Sequence, residues 1–66
     1  MMKTKNKVRY YRKLKGLSQE KLAQLSGVSQ STISDLENGK HSTTFQNIKK
    51  VALVLDVSID KLEIEG

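Results

Sequence analysis

Punctuation constrains this chain more than any other feature. Gly16, Gly27 and Gly39 stand eleven and twelve residues apart, and the chain has no proline. Glycine readily takes the left-handed conformation that ends helices. The three glycines therefore cut the chain into segments of helix length, and no proline breaks them internally. Hydroxyl residues stand where the next segments begin: Ser18, Ser29, Thr44 and Ser58 are N-cap candidates.

Apolar spacing supports the same division. A first helix is expected over about 6–15, with Val8, Tyr11 and Lys15 on one stripe and Arg12 beside it. A second follows Ser18 and carries Leu22 and Leu25, with Glu20 and Lys21 in its first turn. A third spans about 30–38 and has a thin apolar stripe, Ile33 and Leu36, beside a wide hydrogen-bonding face. A fourth, after Thr44, carries a strong stripe of Phe45, Ile48, Val51, Ala52 and Leu55. Asp56 and Val57 turn into a short fifth helix with Ile59 and Leu62. The tail Leu62-Glu63-Ile64-Glu65 alternates, which fits either a short strand or a frayed end. The expected fold is all-α, five short helices with essentially no sheet.

Size and composition exclude several classes. Sixty-six residues make one domain, 1–66, with its core within 8–62. A fold this small buries only about 60% of its unfolded surface. There is no cysteine for a disulfide or thiolate metal site, and the single histidine, His41, rules out a multi-histidine cluster. Stability is left to one apolar core, extended if a partner subunit adds to it. The longest apolar run, Val51-Ala52-Leu53-Val54-Leu55, is far short of the roughly 18 residues of a membrane span. Met1-Met2-Lys3-Thr4 leads into charged residues and not into an apolar segment, so no secretory signal is expected. A cytoplasmic protein is expected. The net charge of +5 is uneven: residues 1–15 hold Lys3, Lys5, Lys7, Arg9, Arg12, Lys13 and Lys15 and no acid, whereas the C-terminal part is acidic. That fits one end meeting a polyanion, or simply a solvated basic face.

Two short helices joined by Gly27-Val28-Ser29 form a helix-turn-helix pattern over 19–38. Leu22, Ala23, Val28, Ile33 and Leu36 are the residues expected to lock the pair, and Ala23 is small enough for a close crossing.

The stretch from Arg12 to Ala23, RKLKGLSQEKLA, resembles the opening of the phage repressor and Cro (XRE) family. The stretch from Gly27 to Lys40, GVSQSTISDLENGK, resembles that family's recognition helix, and Leu55-Asp56-Val57-Ser58 its C-terminal part. The resemblance covers about 8–62. It implies a compact lambda-repressor-like domain and a transcriptional regulator, with no enzymatic activity and no cofactor. The family often has proline where Thr43 stands and glycine where Asp56 stands.

Chemistry points the same way. Glutamine can bond two atoms of adenine at once, and residues near the start of a recognition helix reach furthest into the major groove. Gln30 and Ser31 are therefore the leading base readers, with Ser34 and Asp35 one turn on. Asp35 has two readings: an acceptor for a cytosine amino group, or a solvated or locally bonded residue. Phosphate contacts are expected from Gln19, placed against the backbone by the resemblance, and from the hydroxyls of Ser29 and Thr32. Ser29 also suits a capping role. Asn38 and Lys40 would grip phosphate beyond the helix, and His41 is either an exposed loop residue or a weak phosphate contact.

The resemblance further implies a partly buried ion pair between Arg12 and Glu37, which the planar guanidinium suits. Leu53, Val54, Ile59, Leu62 and Ile64 exceed what one core face needs. They are read as a dimer interface, against the plainer reading of scattered surface apolar residues. The expected partners are double-stranded DNA and a second copy of the chain, the dimer placing two helices in successive major grooves and repressing transcription sterically. No small-molecule ligand is expected, so any signal would come through the dimer equilibrium, protein level or a regulatory protein partner. The alternative is a protein-interaction module of the same fold. An apolar or acidic third-helix face would favour it, and Gln30, Ser31, Ser34 and Lys40 do not supply one.

Overall fold

Four of the five helices among the described residues begin where a side chain takes over a backbone N–H that the helix leaves unpaired. In the computed structural model, which describes residues 6–40 and 43–64, the helices are α1 (Val8–Leu14), α2 (Gln19–Ser26), α3 (Gln30–Glu37), α4 (Phe45–Leu55) and α5 (Ile59–Leu62). Ser18 Oγ accepts from the Lys21 N–H at 3.0 Å, Ser29 Oγ from Thr32 at 3.2 Å and Thr44 Oγ1 from Asn47 at 3.2 Å. Ser58 occupies the fourth cap position without such a bond.

The start of α1 differs from expectation. Asn6 is outside the helix, and its Oδ1 accepts from the Val8 N–H at 3.1 Å. Its Nδ2 donates to the Leu36 carbonyl at 2.7 Å, tying α1 to α3. The next residue, Lys7, donates its N–H to the Leu62 carbonyl of α5 at 2.7 Å. Asparagine offers its own backbone an alternative to helix, which is why it ends up as the tie rather than as a first helical residue.

The helix ends repeat one motif. After α4, Val57 N–H reaches the Ala52 carbonyl and Asp56 N–H the Leu53 carbonyl, both at 3.2 Å. The same pair of bonds closes α1 around Gly16 and α3 around Gly39. This crossed pattern needs a left-handed residue at its hinge. At α4 that residue is Asp56, with φ 59°. A carboxylate there is doubly unfavourable, because the left-handed backbone strains an L side chain and the charge meets the negative end of the helix. Asp56→Gly is expected to stabilise the domain by about 0.5–1 kcal/mol after the greater freedom of glycine in the unfolded chain is counted. A thermal melt should rise by roughly 2–8 °C. An unchanged or lower midpoint would show that Asp56 is not strained.

All five helices contribute to one core. Val8, Leu22, Ile33, Leu36, Val51, Ala52, Leu55 and Leu62 are buried, with Val28 from the α2–α3 turn. Helix α2 packs on α3 and α4, α4 on α5, and α1 on α3. Three residues of the expected stripes are turned outward: Lys15, just past the end of α1, Leu25, and Phe45 at the first position of α4. The Lys49 ammonium lies 5.9 Å from the Phe45 ring centre. The stripe continues inward from Ile48, because a helix's first residue projects past its neighbours. The tail forms no strand among the described residues: Glu63 turns left-handed (φ 55°) and Ile64 packs half-buried on the core. No helix among the described residues is long and apolar enough to cross a membrane.

The expected dimer patch needs one correction. Leu62 is 0% exposed and belongs to the core. Helix α5 is a single turn, so its inward residue has nowhere to lie but beneath it.

Candidate nucleic-acid interface

The turn Gly27-Val28-Ser29 sets the angle between α2 and α3. Gly27 caps α2 in the left-handed conformation (φ 76°), its N–H bonded to the Ala23 carbonyl at 2.9 Å. Val28 is buried, and Ser26 Oγ accepts its N–H at 3.2 Å. One turn residue is thus anchored below while the next, Ser29, opens α3.

Ser29 does more than cap. Its Oγ donates to Thr32 Oγ1 at 2.7 Å and lies 3.4 Å from Ser31 Oγ. A serine hydroxyl has one proton. Ser29 spends it on Thr32, so Thr32 keeps its own proton for an acceptor outside. Of the two hydroxyls expected at phosphate, Thr32 is the one with a proton to give.

Helix α3 is held from beneath by Ile33 and Leu36, both buried. Gln30 and Ser31 stand exposed in its first turn, with Ser34 half-buried one turn after Gln30. At the far end Asn38 Nδ2 donates to the Ser34 carbonyl at 2.9 Å. Asp35 and Lys40, expected in different roles, meet: Lys40 Nζ lies 3.7 Å from Asp35 Oδ1. His41 lies outside the described residues.

The expected pair is formed between α1 and α3. Arg12 Nε donates to Glu37 Oε2 at 2.6 Å and Nη2 to Oε1 at 3.3 Å, with the two side chains 10% and 5% exposed. Arg12 Nη1 donates to the Leu17 carbonyl at 2.8 Å. Gln19 Nε2 also donates to Glu37 Oε1, at 3.1 Å. Glu37 thus gathers α1, α2 and α3 and orients Gln19, keeping its amide nitrogen toward the carboxylate. Neither the Gln19–Glu37 bond nor the Asn6 tie has a signal in the sequence, since each joins residues at least 18 positions apart.

Comparison with known proteins gives one consistent result. A helix-turn-helix family model matches residues 8–62. An uncharacterised HTH-type transcriptional regulator of Methanocaldococcus jannaschii is 42% identical over 60 residues, 91% of each chain. The HTH-type transcriptional regulator SinR of Bacillus subtilis is 40% identical over 57 residues, 85% of this chain and 51% of SinR. The control protein C.SmaI of Serratia marcescens is 36% identical over 55 residues, 83% of this chain and 66% of that protein. The chain thus spans nearly all of the first of these and about half of SinR.

Proposed function

The chain belongs to the helix-turn-helix family of DNA-binding transcriptional regulators, and from that premise we propose that it binds a palindromic operator as a homodimer and represses transcription by occupying it. The exposed first turn of α3 carries this reading. Gln30 and Ser31 face outward while Ile33 and Leu36 fix the helix to the core. A helix held this way can present base-edge donors and acceptors at a constant depth.

Gln30 is the principal reader, with Ser31, Ser34 and Asp35 completing the base-facing set. Gln19, Thr32, Asn38 and Lys40 position the domain on phosphates, while Ser29, its proton spent on Thr32, caps α3. Such contacts fix register without carrying sequence information. The dimer forms through Leu53, Val54, Ile59 and Ile64. Leu53 is 83% exposed on α4, and the other three are only partly covered by the chain itself.

Selection of bound sequences from random duplex DNA, followed by affinity against salt, tests the proposal. The expected result is a two-fold consensus with half-sites about 34–36 Å apart, one helical turn. Gln30→Ala should then lose about 1–3 kcal/mol of discrimination at one base position of each half-site and little affinity for random duplex. Equal losses on operator and random DNA would remove Gln30 from the reading role. Weak, salt-sensitive binding with no consensus would overturn the operator reading and make a protein the main partner.

A further inference from the structure

The cationic residues of α1 do not all have a structural use. Arg12 is consumed by Glu37 and Leu17. Arg9, three residues earlier, is exposed, and among the described residues no hydrogen bond or ion pair engages it. It does have a place in a shaped feature. Arg9, Arg12, Gln19, Glu37 and Asn38 line a polar cleft of about 340 Å³ where α1, the start of α2 and the end of α3 converge.

The cleft's charge and remaining donors define what suits it. Arg9 and Arg12 are cationic and Glu37 anionic, so one positive charge is left over. Glu37 is already satisfied by Arg12 and Gln19. Gln19 Nε2 has spent one N–H on Glu37 and keeps a second. Asn38 Nδ2 has spent one on the Ser34 carbonyl and likewise keeps a second. Arg9 offers its whole guanidinium. The fitting ligand carries a single negative charge and several acceptor oxygens. A phosphodiester has that composition, and the cleft is several times the roughly 30 Å³ share of one water, enough for the group and adjoining sugar atoms.

We propose that this cleft seats one phosphate of the DNA backbone and that Arg9 is its counter-charge, Gln19 and Asn38 donating from the other two walls. The inference rests on the DNA-binding reading and deepens it. Donors from three walls converge on one phosphate, and the Arg12–Glu37 pair keeps those walls in register. A phosphate gripped this way fixes the depth at which α3 enters the groove.

The test is fluorescence anisotropy on the selected operator and on random duplex, over a salt series, for the wild type, Arg9→Gln and Lys61→Gln. Lys61 is an exposed cation on α5 and controls for loss of overall charge. Arg9→Gln should lower the slope of log affinity against log salt by about 1.8 for the bound dimer on both DNAs, about 0.9 for each subunit, the change expected when one phosphate per subunit is no longer neutralised. Its melting temperature should match the wild type, and Lys61→Gln should leave the slope alone. A scan of single methylphosphonate substitutions should find one backbone position in each half-site that weakens the wild type but not Arg9→Gln, and the same position should be silent in Gln19→Ala. An unchanged slope in Arg9→Gln, an equal change in Lys61→Gln, or different silent positions for Arg9 and Gln19 would overturn the shared cleft while leaving DNA binding intact. A wild type that binds no duplex would overturn both this inference and the reading beneath it.

Discussion

Glu37→Ala should move the urea unfolding midpoint down by about 3 M or more. Burial is the reason. Glu37 and Arg12 are 5% and 10% exposed, and the carboxylate takes hydrogen bonds from Arg12 Nε, Arg12 Nη2 and Gln19 Nε2. Removing it leaves a guanidinium out of water with only the Leu17 carbonyl for company. Stranding one partner of a buried pair costs about 3–5 kcal/mol. A domain of this length has roughly 3–10 kcal/mol of total stability, so the loss takes a large share of it. With a urea slope near 1 kcal/mol per molar, expected for so small a chain, the midpoint shift follows. Glu20→Ala is the reference. Glu20 is exposed in the first turn of α2 and contributes only through the helix dipole, below about 1 kcal/mol. Equal midpoints for the two variants would sink the argument. Replacing both partners with apolar residues, Arg12→Met with Glu37→Leu, should recover most of the loss, because the penalty lies in the stranded charge and not in the pair's net attraction.

What the sequence could show divides by distance along the chain. The caps at Ser18, Ser29 and Thr44 were readable because each hydroxyl bonds a backbone N–H three residues on. The ends at Gly16, Gly27 and Gly39 were readable because the left-handed backbone selects glycine. The crossed closure at Asp56 was not, because there the residue works against its own conformation. Arg12 and Glu37 are 25 positions apart, and only the family resemblance paired them. Gln19 illustrates the limit. Its place at the start of α2 was legible, but its bond to Glu37 depends on how α2 crosses α3, which Val28 and the core decide. Apolar spacing marks the stripes of α2 and α4 but overstates their breadth, because it places Leu25 and Phe45 inward where both are exposed. Helix α5 has four residues, too few for periodicity to separate an inward Leu62 from an outward neighbour.

Leu62 and Leu53 should therefore behave in opposite ways when truncated. Leu62 is fully buried, shares the core with Val8, Val51 and Leu55, and its carbonyl accepts the Lys7 N–H. Truncation there removes packed atoms and leaves a cavity beneath a one-turn helix. Leu62→Ala is expected to cost about 2–5 kcal/mol, which for a domain of this size lowers the melting temperature by roughly 10 °C or more. Leu53 is 83% exposed and packs on nothing the monomer needs. Leu53→Ala should leave the stability of the dilute monomer within about 0.5 kcal/mol. In the proposed dimer its effect falls on association: sedimentation equilibrium should show a weaker dimer, and the wild type's melting temperature should rise with concentration more steeply than the variant's. A Leu62→Ala protein as stable as the wild type would put the α5 side chain back on the surface. A Leu53→Ala protein with unchanged self-association would move the dimer away from the α4 face. The two variants lie only nine positions apart, yet one tests the core and the other the proposed interface, because Leu62 is packed inward and Leu53 faces out.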